Sequence, residues 1–160
     1  MFEENRSVTC CFTGHRNIPL DDEYEELEKR LEDEIENLIH QGIRYFAVGG
    51  ARGFDTMAAT AVLVQRCLYL HIQLILILPC KDQTNGWDRV EKTIYNLNLR
   101  DADEVVYISE SYSRGCMQRR NRRLVDSSSV CVCYLTDPRS GTGYTVNYAK
   151  RKGLRVINLA

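Results

Sequence analysis

Two glycine-rich segments hold the residues of this chain whose types and spacing point to chemistry with an anion. Gly49-Gly50-Ala51-Arg52-Gly53-Phe54-Asp55 follows the strand-like run Arg44-Tyr45-Phe46-Ala47-Val48 and opens a helical pattern from Thr56 to Leu70. A glycine turn between strand and helix lets the backbone approach a phosphate closely. The first turn of the helix adds unpaired N–H groups and the positive end of the dipole. The spacing is neither the dinucleotide fingerprint G-x-G-x-x-G nor the phosphate loop that ends in Lys-Ser/Thr. A turn that needs glycine only for its tightness is the competing reading. The second segment, Thr136-Asp137-Pro138-Arg139-Ser140-Gly141-Thr142-Gly143-Tyr144-Thr145, repeats the arrangement after another apolar run.

The elements that must position these turns alternate regularly. Apolar runs at Val8 to Thr13, Tyr45 to Val48, His71 to Leu78, Glu104 to Ile108, Val130 to Leu135 and Arg155 to Asn158 read as strands. Between them, Glu23 to Gln41, Thr56 to Leu70, Asp88 to about Asn98, Gly115 to Asp126 and Gly143 to Lys152 read as helices. Leu27, Leu31, Ile35, Leu38 and Ile39 form the apolar face of the first. Nearly continuous apolar strands alternating with helices predict a Rossmann-like α/β fold, a three-layer α/β/α domain with a mainly parallel sheet. One domain spanning 1–160 is expected, without repeats or linkers. The switch-point rule places a ligand outside the carboxyl ends of the strands. Gly14, His15 and Arg16 at the first strand exit, Arg52 at the second and Arg139 at the fifth then share one rim with both glycine turns.

Composition narrows the class. With 160 residues and 44% hydrophobic content, the chain buries about two-thirds of its unfolded surface without staples. The longest apolar run, Leu74 to Leu78, is too short to span a bilayer, and no leader-like segment opens the chain, so a cytoplasmic protein without a membrane partner is expected. Seven cysteines, an odd number, fit neither a disulfide framework nor a zinc site and read as small buried apolar residues; no metal site is expected. The net charge of −1 conceals a dense acidic stretch, Asp21 to Glu36, and a basic cluster, Arg114, Arg119, Arg120, Arg122 and Arg123.

Several single residues carry two readings. His15, beside a glycine at a strand exit, suits contact with a phosphate or base, or proton transfer. His40 and His71, at or beyond helix ends, suit a structural role near the dipole. Trp87, the one tryptophan, lies in a polar loop and reads either as a core anchor or as a wall over a ligand. Asp55 reads as a cap for its own helix ahead of a catalytic role. Asp126 is expected to pair with a neighbouring arginine. Tyr144 and Thr145, at a helix start, could meet a phosphate.

Taken in order, Thr13-Gly14-His15-Arg16, the Gly49 to Asp55 run, the segment Gln83 to Trp87, Cys116 ahead of Arg119-Arg120-Asn121-Arg122, Asp126-Ser127-Ser128, Arg139 to Thr145 with Ala149, and Gly153-Leu154-Arg155-Val156-Ile157 resemble the SLOG superfamily. That group joins the DNA-processing protein DprA (Smf) to the LOG cytokinin-activating enzymes, and the detail resembles its small bacterial YpsA-like branch. The resemblance covers nearly the whole chain. It implies a Rossmann-like fold whose glycine turns bind a nucleotide or nucleotide-derived ligand.

The same resemblance separates three functions. The first is binding or sensing of a nucleotide-like small molecule through Gly14, His15, Arg16, Gly49, Gly50, Ala51, Arg52, Gly53, Trp87, Arg120, Asn121, Gly141, Thr142, Gly143, Tyr144 and Thr145. The second is N-glycosidic hydrolysis of a nucleotide, as in the LOG enzymes, whose last glycine turn reads P-G-G-x-G-T-x-x-E. Here Gly141 and Thr142 match the G-T pair, but Thr145 stands where the glutamate belongs, and Glu110 or Asp137 would have to replace it. The third is DprA-like binding of single-stranded nucleic acid by the arginine cluster, with Tyr112 or Trp87 stacking on a base. A homo-oligomer is compatible with all three.

Overall fold

The computed structural model describes residues 4–160. Six strands form one wholly parallel sheet: β1 (Thr9–Gly14), β2 (Tyr45–Val48), β3 (Gln73–Leu78), β4 (Glu104–Tyr107), β5 (Val130–Tyr134) and β6 (Arg155–Asn158). The helices between them are α1 (Asp22–His40), α2 (Phe54–Arg66), α3 (Arg89–Asp101), α4 (Cys116–Asp126) and α5 (Gly141–Arg151). The strand order is β4-β3-β2-β1-β5-β6. The chain therefore winds outward from β1 in one direction, then returns beside β1 as β5 and winds the other way.

Side chains alternate across each strand, so one run of sequence feeds two cores. Cys10 and Phe12, Phe46 and Val48, Leu74, Leu76 and Leu78, and Val130 and Val132 meet Leu27, Leu31, Ile35 and Leu38 of α1 and Met57, Ala58 and Val62 of α2. Cys11, Ala47, Ile75, Ile77, Cys131 and Cys133 meet Leu124 and Val125 of α4 and Val146 and Ala149 of α5. The strands are thus buried on both faces, which is why they read as continuous apolar runs rather than alternating ones. Six of the cysteines are buried and Cys67 is exposed; all are free thiols.

The two helical layers differ in charge. On one side, α1 carries Asp22, Glu23, Glu25, Glu26, Glu28, Glu32, Asp33, Glu34 and Glu36 against Lys29 and Arg30. On the other, α4 and α5 carry Arg119, Arg120, Arg122, Arg123, Lys150 and Arg151 against Asp126.

Two helix starts fall two residues earlier than the sequence pattern suggests. The second helix begins at Phe54 because Gly53, at φ 76°, is itself the residue ahead of the first turn. It also stops at Arg66, not Leu70. The last helix begins at Gly141 because the Ser140 side chain accepts the Gly143 N–H at 3.1 Å and caps it. No helix among the described residues is long and apolar enough to cross a membrane.

Candidate functional site

The reversal of winding between β1 and β5 opens a cavity of about 810 Å3 at their carboxyl ends. β1 and the segment after it supply Thr13, Gly14, His15 and Arg16; the loop after β5 supplies Thr136, Asp137 and Ser140. Arg120 and Asn121 of α4, Ala51 and Asp55 at the start of α2, and Gly141, Thr142 and Tyr144 of α5 complete the wall. A smaller cavity of about 380 Å3 shares Arg16, Ala51 and Met117 with the first and extends it toward Arg52, Gln83, Trp87 and Tyr112.

The first glycine turn is tied down by the protein itself. Its Gly49 carbonyl accepts from the Arg120 guanidinium, its Gly50 carbonyl from the Gln83 amide at 3.2 Å and its Ala51 carbonyl from the Thr56 hydroxyl at 3.1 Å. The Ala51 N–H donates to Asp55 Oδ2 at 3.1 Å. Asp55 therefore does not cap its own helix: its carboxylate turns back and takes the loop N–H of Ala51. The glycines are needed for closeness. A Cβ on Gly49 would come within 2.7 Å of Arg120 Nη1, one on Gly50 within 2.4 Å of Leu78, and one on Gly53 within 2.3 Å of the Arg16 carbonyl oxygen. Gly50 and Gly53 also have positive φ, of 74° and 76°.

The second turn is built differently. Gly143 is packed, since a Cβ there would lie 2.1 Å from the Pro138 carbonyl oxygen. Gly141 has no such neighbour within 4 Å and no positive φ, yet it sits on the cavity wall at the start of α5. Neither packing nor backbone geometry requires glycine at that position. The Thr145 hydroxyl donates to the Gly141 carbonyl at 3.1 Å, so Thr145 is buried behind the turn instead of facing the cavity.

Two opposite charges lie deep in the cavity wall. Arg120 is 4% exposed and Asp55 6% exposed. Burial pushes the Asp55 carboxyl up to about 6, although Arg120, the Ala51 N–H and Arg16 all act against the shift. Burial likewise pulls Arg120 below its ordinary value, opposed chiefly by Asp55. The Arg120 Nε–H donates to Asn121 Oδ1 at 2.7 Å, and Nη2 reaches the Met117 sulfur at 3.8 Å, so the guanidinium is oriented on several sides.

His15 links the two strand exits. Its Nε2 accepts the Thr136 N–H at 2.9 Å and lies 3.4 Å from the Asp137 nitrogen, which requires the neutral ring with its proton on Nδ1. Its backbone carbonyl accepts from the Phe54 N–H at 3.1 Å, and its ring stands edge-on to Tyr134. The histidine lines the cavity, but its acceptor is already used to hold the loop after β5.

The sixteen residues singled out in the sequence thus divide. Gly14, His15, Arg16, Ala51, Arg120, Asn121, Gly141, Thr142 and Tyr144 line the larger cavity; Arg52 and Trp87 line the smaller one with Arg16 and Ala51. Gly49, Gly50, Gly53, Gly143 and Thr145 line neither and act through packing and hydrogen bonds. Arg52 lies 5.8 Å over the Trp87 ring and 3.7 Å from Glu91, and Trp87 packs edge-on against Tyr95. Arg139 projects into solvent beside Asp137. Of the two carboxylates considered as replacements for the missing glutamate, Asp137 lines the cavity, whereas Glu110 pairs with Lys81 at 3.0 Å outside it. Asp126 accepts from the Tyr148 hydroxyl at 2.7 Å. Met117 and Gln118 are wall residues that the sequence did not single out, and Asp55 and Ser140, which belong to the two glycine segments, were not among its ligand-binding candidates. Among the described residues no group of His, Cys, Asp and Glu side chains is arranged to hold a metal ion.

A wholly parallel sheet covered by helices on both faces, with a cavity at its reversal point, defines the class of Rossmann-like α/β domains. Within that class the chain belongs to the YspA SLOG family (YpsA), whose profile matches residues 10–156. It is 32% identical over 138 residues to the uncharacterized SPbeta prophage-derived protein YoqJ of Bacillus subtilis, covering 78% of this chain and 81% of that one. It is 30% identical over 129 residues to the UPF0398 protein BH1768 of Halalkalibacterium halodurans, covering 79% and 68%. Among solved structures, it is similar to DNA processing protein A from Helicobacter pylori, which binds single-stranded DNA, with a TM-score of 0.68 at 17% identity over 96% of this chain. DNA processing protein A of Streptococcus pneumoniae gives a TM-score of 0.63 at 18% identity over 97% of this chain. The chain spans 66% and 50% of those two proteins, and the likeness to them is one of fold.

Proposed function

We propose that the larger cavity binds a nucleotide-derived ligand, with a phosphate at the start of α5 and the base side extending past Arg16 toward Trp87. Gly141 carries this reading. It is a glycine at a helix N-terminus, on a cavity wall, where neither packing nor dihedral geometry calls for one. The absent side chain leaves room for a ligand group to approach the Gly141 and Thr142 backbone. The cavity volume lies within the range of small-molecule sites, about 300–1,000 Å3. Arg120 and Arg16 supply positive charge, Arg120 from a nearly desolvated position.

The test is a thermal-shift screen of nucleoside monophosphates, nucleoside diphosphates and dinucleoside diphosphates on the wild type and on Gly141→Trp. At least one nucleotide should raise the Tm of the wild type and leave that of the variant unchanged. An equal shift in both proteins would overturn the assignment.

A second reading, binding of single-stranded nucleic acid, is favoured by one observation. Arg114, Arg119 and Arg122 are exposed on or beside α4, and Tyr112, 65% exposed, borders the smaller cavity. Oligonucleotide affinity should then fall steeply with salt, the slope growing by about 0.7 for each phosphate neutralised on a single strand. Binding that ignores salt removes this reading.

A further inference from the structure

We propose that the cavity takes its anion together with a proton, and that Asp55 is the group that receives the proton. This rests on the nucleotide reading above and goes beyond it by assigning Asp55 control over the charge that the site accepts.

The geometry is unusual for an anion site. A nearly buried carboxylate stands in the same cavity wall as the arginines that would attract the ligand, held there by the Ala51 N–H. The charged groups that act on Asp55 are Arg120 from α4 and Arg16 from the segment after β1. His15 and Asp137 lie elsewhere on the same wall. In the free protein Arg120, the Ala51 N–H and Arg16 together hold Asp55 in its charged form against burial. A phosphate that pairs with Arg16 and Arg120 neutralises the arginines' part of that support, adds a negative charge of its own and expels water. All three effects drive a proton onto the carboxyl from a starting point of about 6. Protonated Asp55 retains an oxygen to accept the Ala51 N–H and gains a donor that can face the ligand.

The proton balance is simple. Near pH 7 the free protein carries mostly carboxylate at Asp55, and formation of the complex takes one proton from solvent. Affinity therefore weakens with a slope that approaches about tenfold per pH unit as the pH rises beyond 6, until the carboxyl of the complex itself ionises. The carboxylate acts as a filter: at high pH an anion enters only by confronting it.

Calorimetric titration with diadenosine diphosphate isolates this effect, because the two phosphoryl groups of its pyrophosphate bridge keep one charge each throughout the range. In wild-type protein at pH 7, the heat of binding in two buffers of different ionisation enthalpy should differ by the amount for about one proton per site. Between pH 6 and 8 the Kd should rise by about 50-fold, and in Asp55→Asn it should stay nearly constant and be tighter than wild type at pH 8. Wild-type binding with buffer-independent heat and a flat pH profile would overturn the inference while leaving the nucleotide reading intact. Absence of diadenosine diphosphate binding at pH 6, where the carboxylate opposes an anion least, would also overturn the inference, while the nucleotide reading falls only if every nucleotide of the thermal-shift screen fails as well. The measurement on the wild type decides the question even if the variant does not fold.

Discussion

The two glycine turns look alike in sequence and do opposite work. At Gly49 to Gly53 the glycines let other parts of the protein come close: the Arg120 guanidinium, the Leu78 side chain and the Arg16 carbonyl occupy the space that Cβ atoms would need. At Gly141 the space is left open toward the cavity. A glycine turn before a helix is therefore two different devices, and the difference lies in what fills the missing side chain's volume. The first turn even supplies its own anion, the Asp55 carboxylate, on the Ala51 N–H.

Substitutions can break this contrast. Gly53→Ala combines a positive φ with a backbone contact that cannot yield, and should cost about 4 kcal/mol in urea unfolding. A loss below about 1 kcal/mol would mean that the loop is free to move. Arg120→Met removes the donor from the buried Gly49 carbonyl while keeping much of the volume, and should cost about 3 kcal/mol by the same measurement.

Asp55 sets a pH dependence of definite sign. Its folded value, about 6, lies above the unfolded 3.8, so the native state holds the proton more tightly. The stability this gives is complete below pH 3.8 and is lost as the pH rises through 6. At 1.36 kcal/mol per unit, the loss approaches about 3 kcal/mol. Asp55→Asn should flatten that decline between pH 4 and 7, as read from unfolding midpoints at each pH. A variant whose profile parallels the wild type would refute the assignment. Gly141→Ala is the smallest expected effect: a stability change within about 0.5 kcal/mol, since the added methyl meets nothing. A large loss there would erase the difference between the turns.

The fold was legible because parallel strands buried on both faces leave unbroken apolar runs, and Gly42 and Pro79 punctuate them visibly. The strand order follows from β5 returning beside β1, a long-range pairing that local patterns do not encode. The cavity's position was legible from the switch-point rule, but the roles of its residues were only partly so. Arg120 reads as one of several arginines on a helix; its burial depends on the glycine turn it packs against. Asp55 reads as an ordinary cap because aspartate at a helix start usually bonds forward, and only the positive φ of Gly53 and the backward turn of the loop bring the Ala51 N–H to it. Ser140, a capping residue ahead of Gly-Thr-Gly, was the available signal for the early start of α5.

The separation of charge across the sheet has a kinetic consequence. With carboxylates concentrated on α1 and guanidinium groups on α4, the molecule carries a permanent dipole roughly normal to its strands. An anion diffusing nearby is attracted to the α4 face and exerts a torque on the protein. At physiological ionic strength this steering acts within about 8 Å of the surface, and it favours the side from which α4 lends Arg120 and Asn121 to the cavity wall.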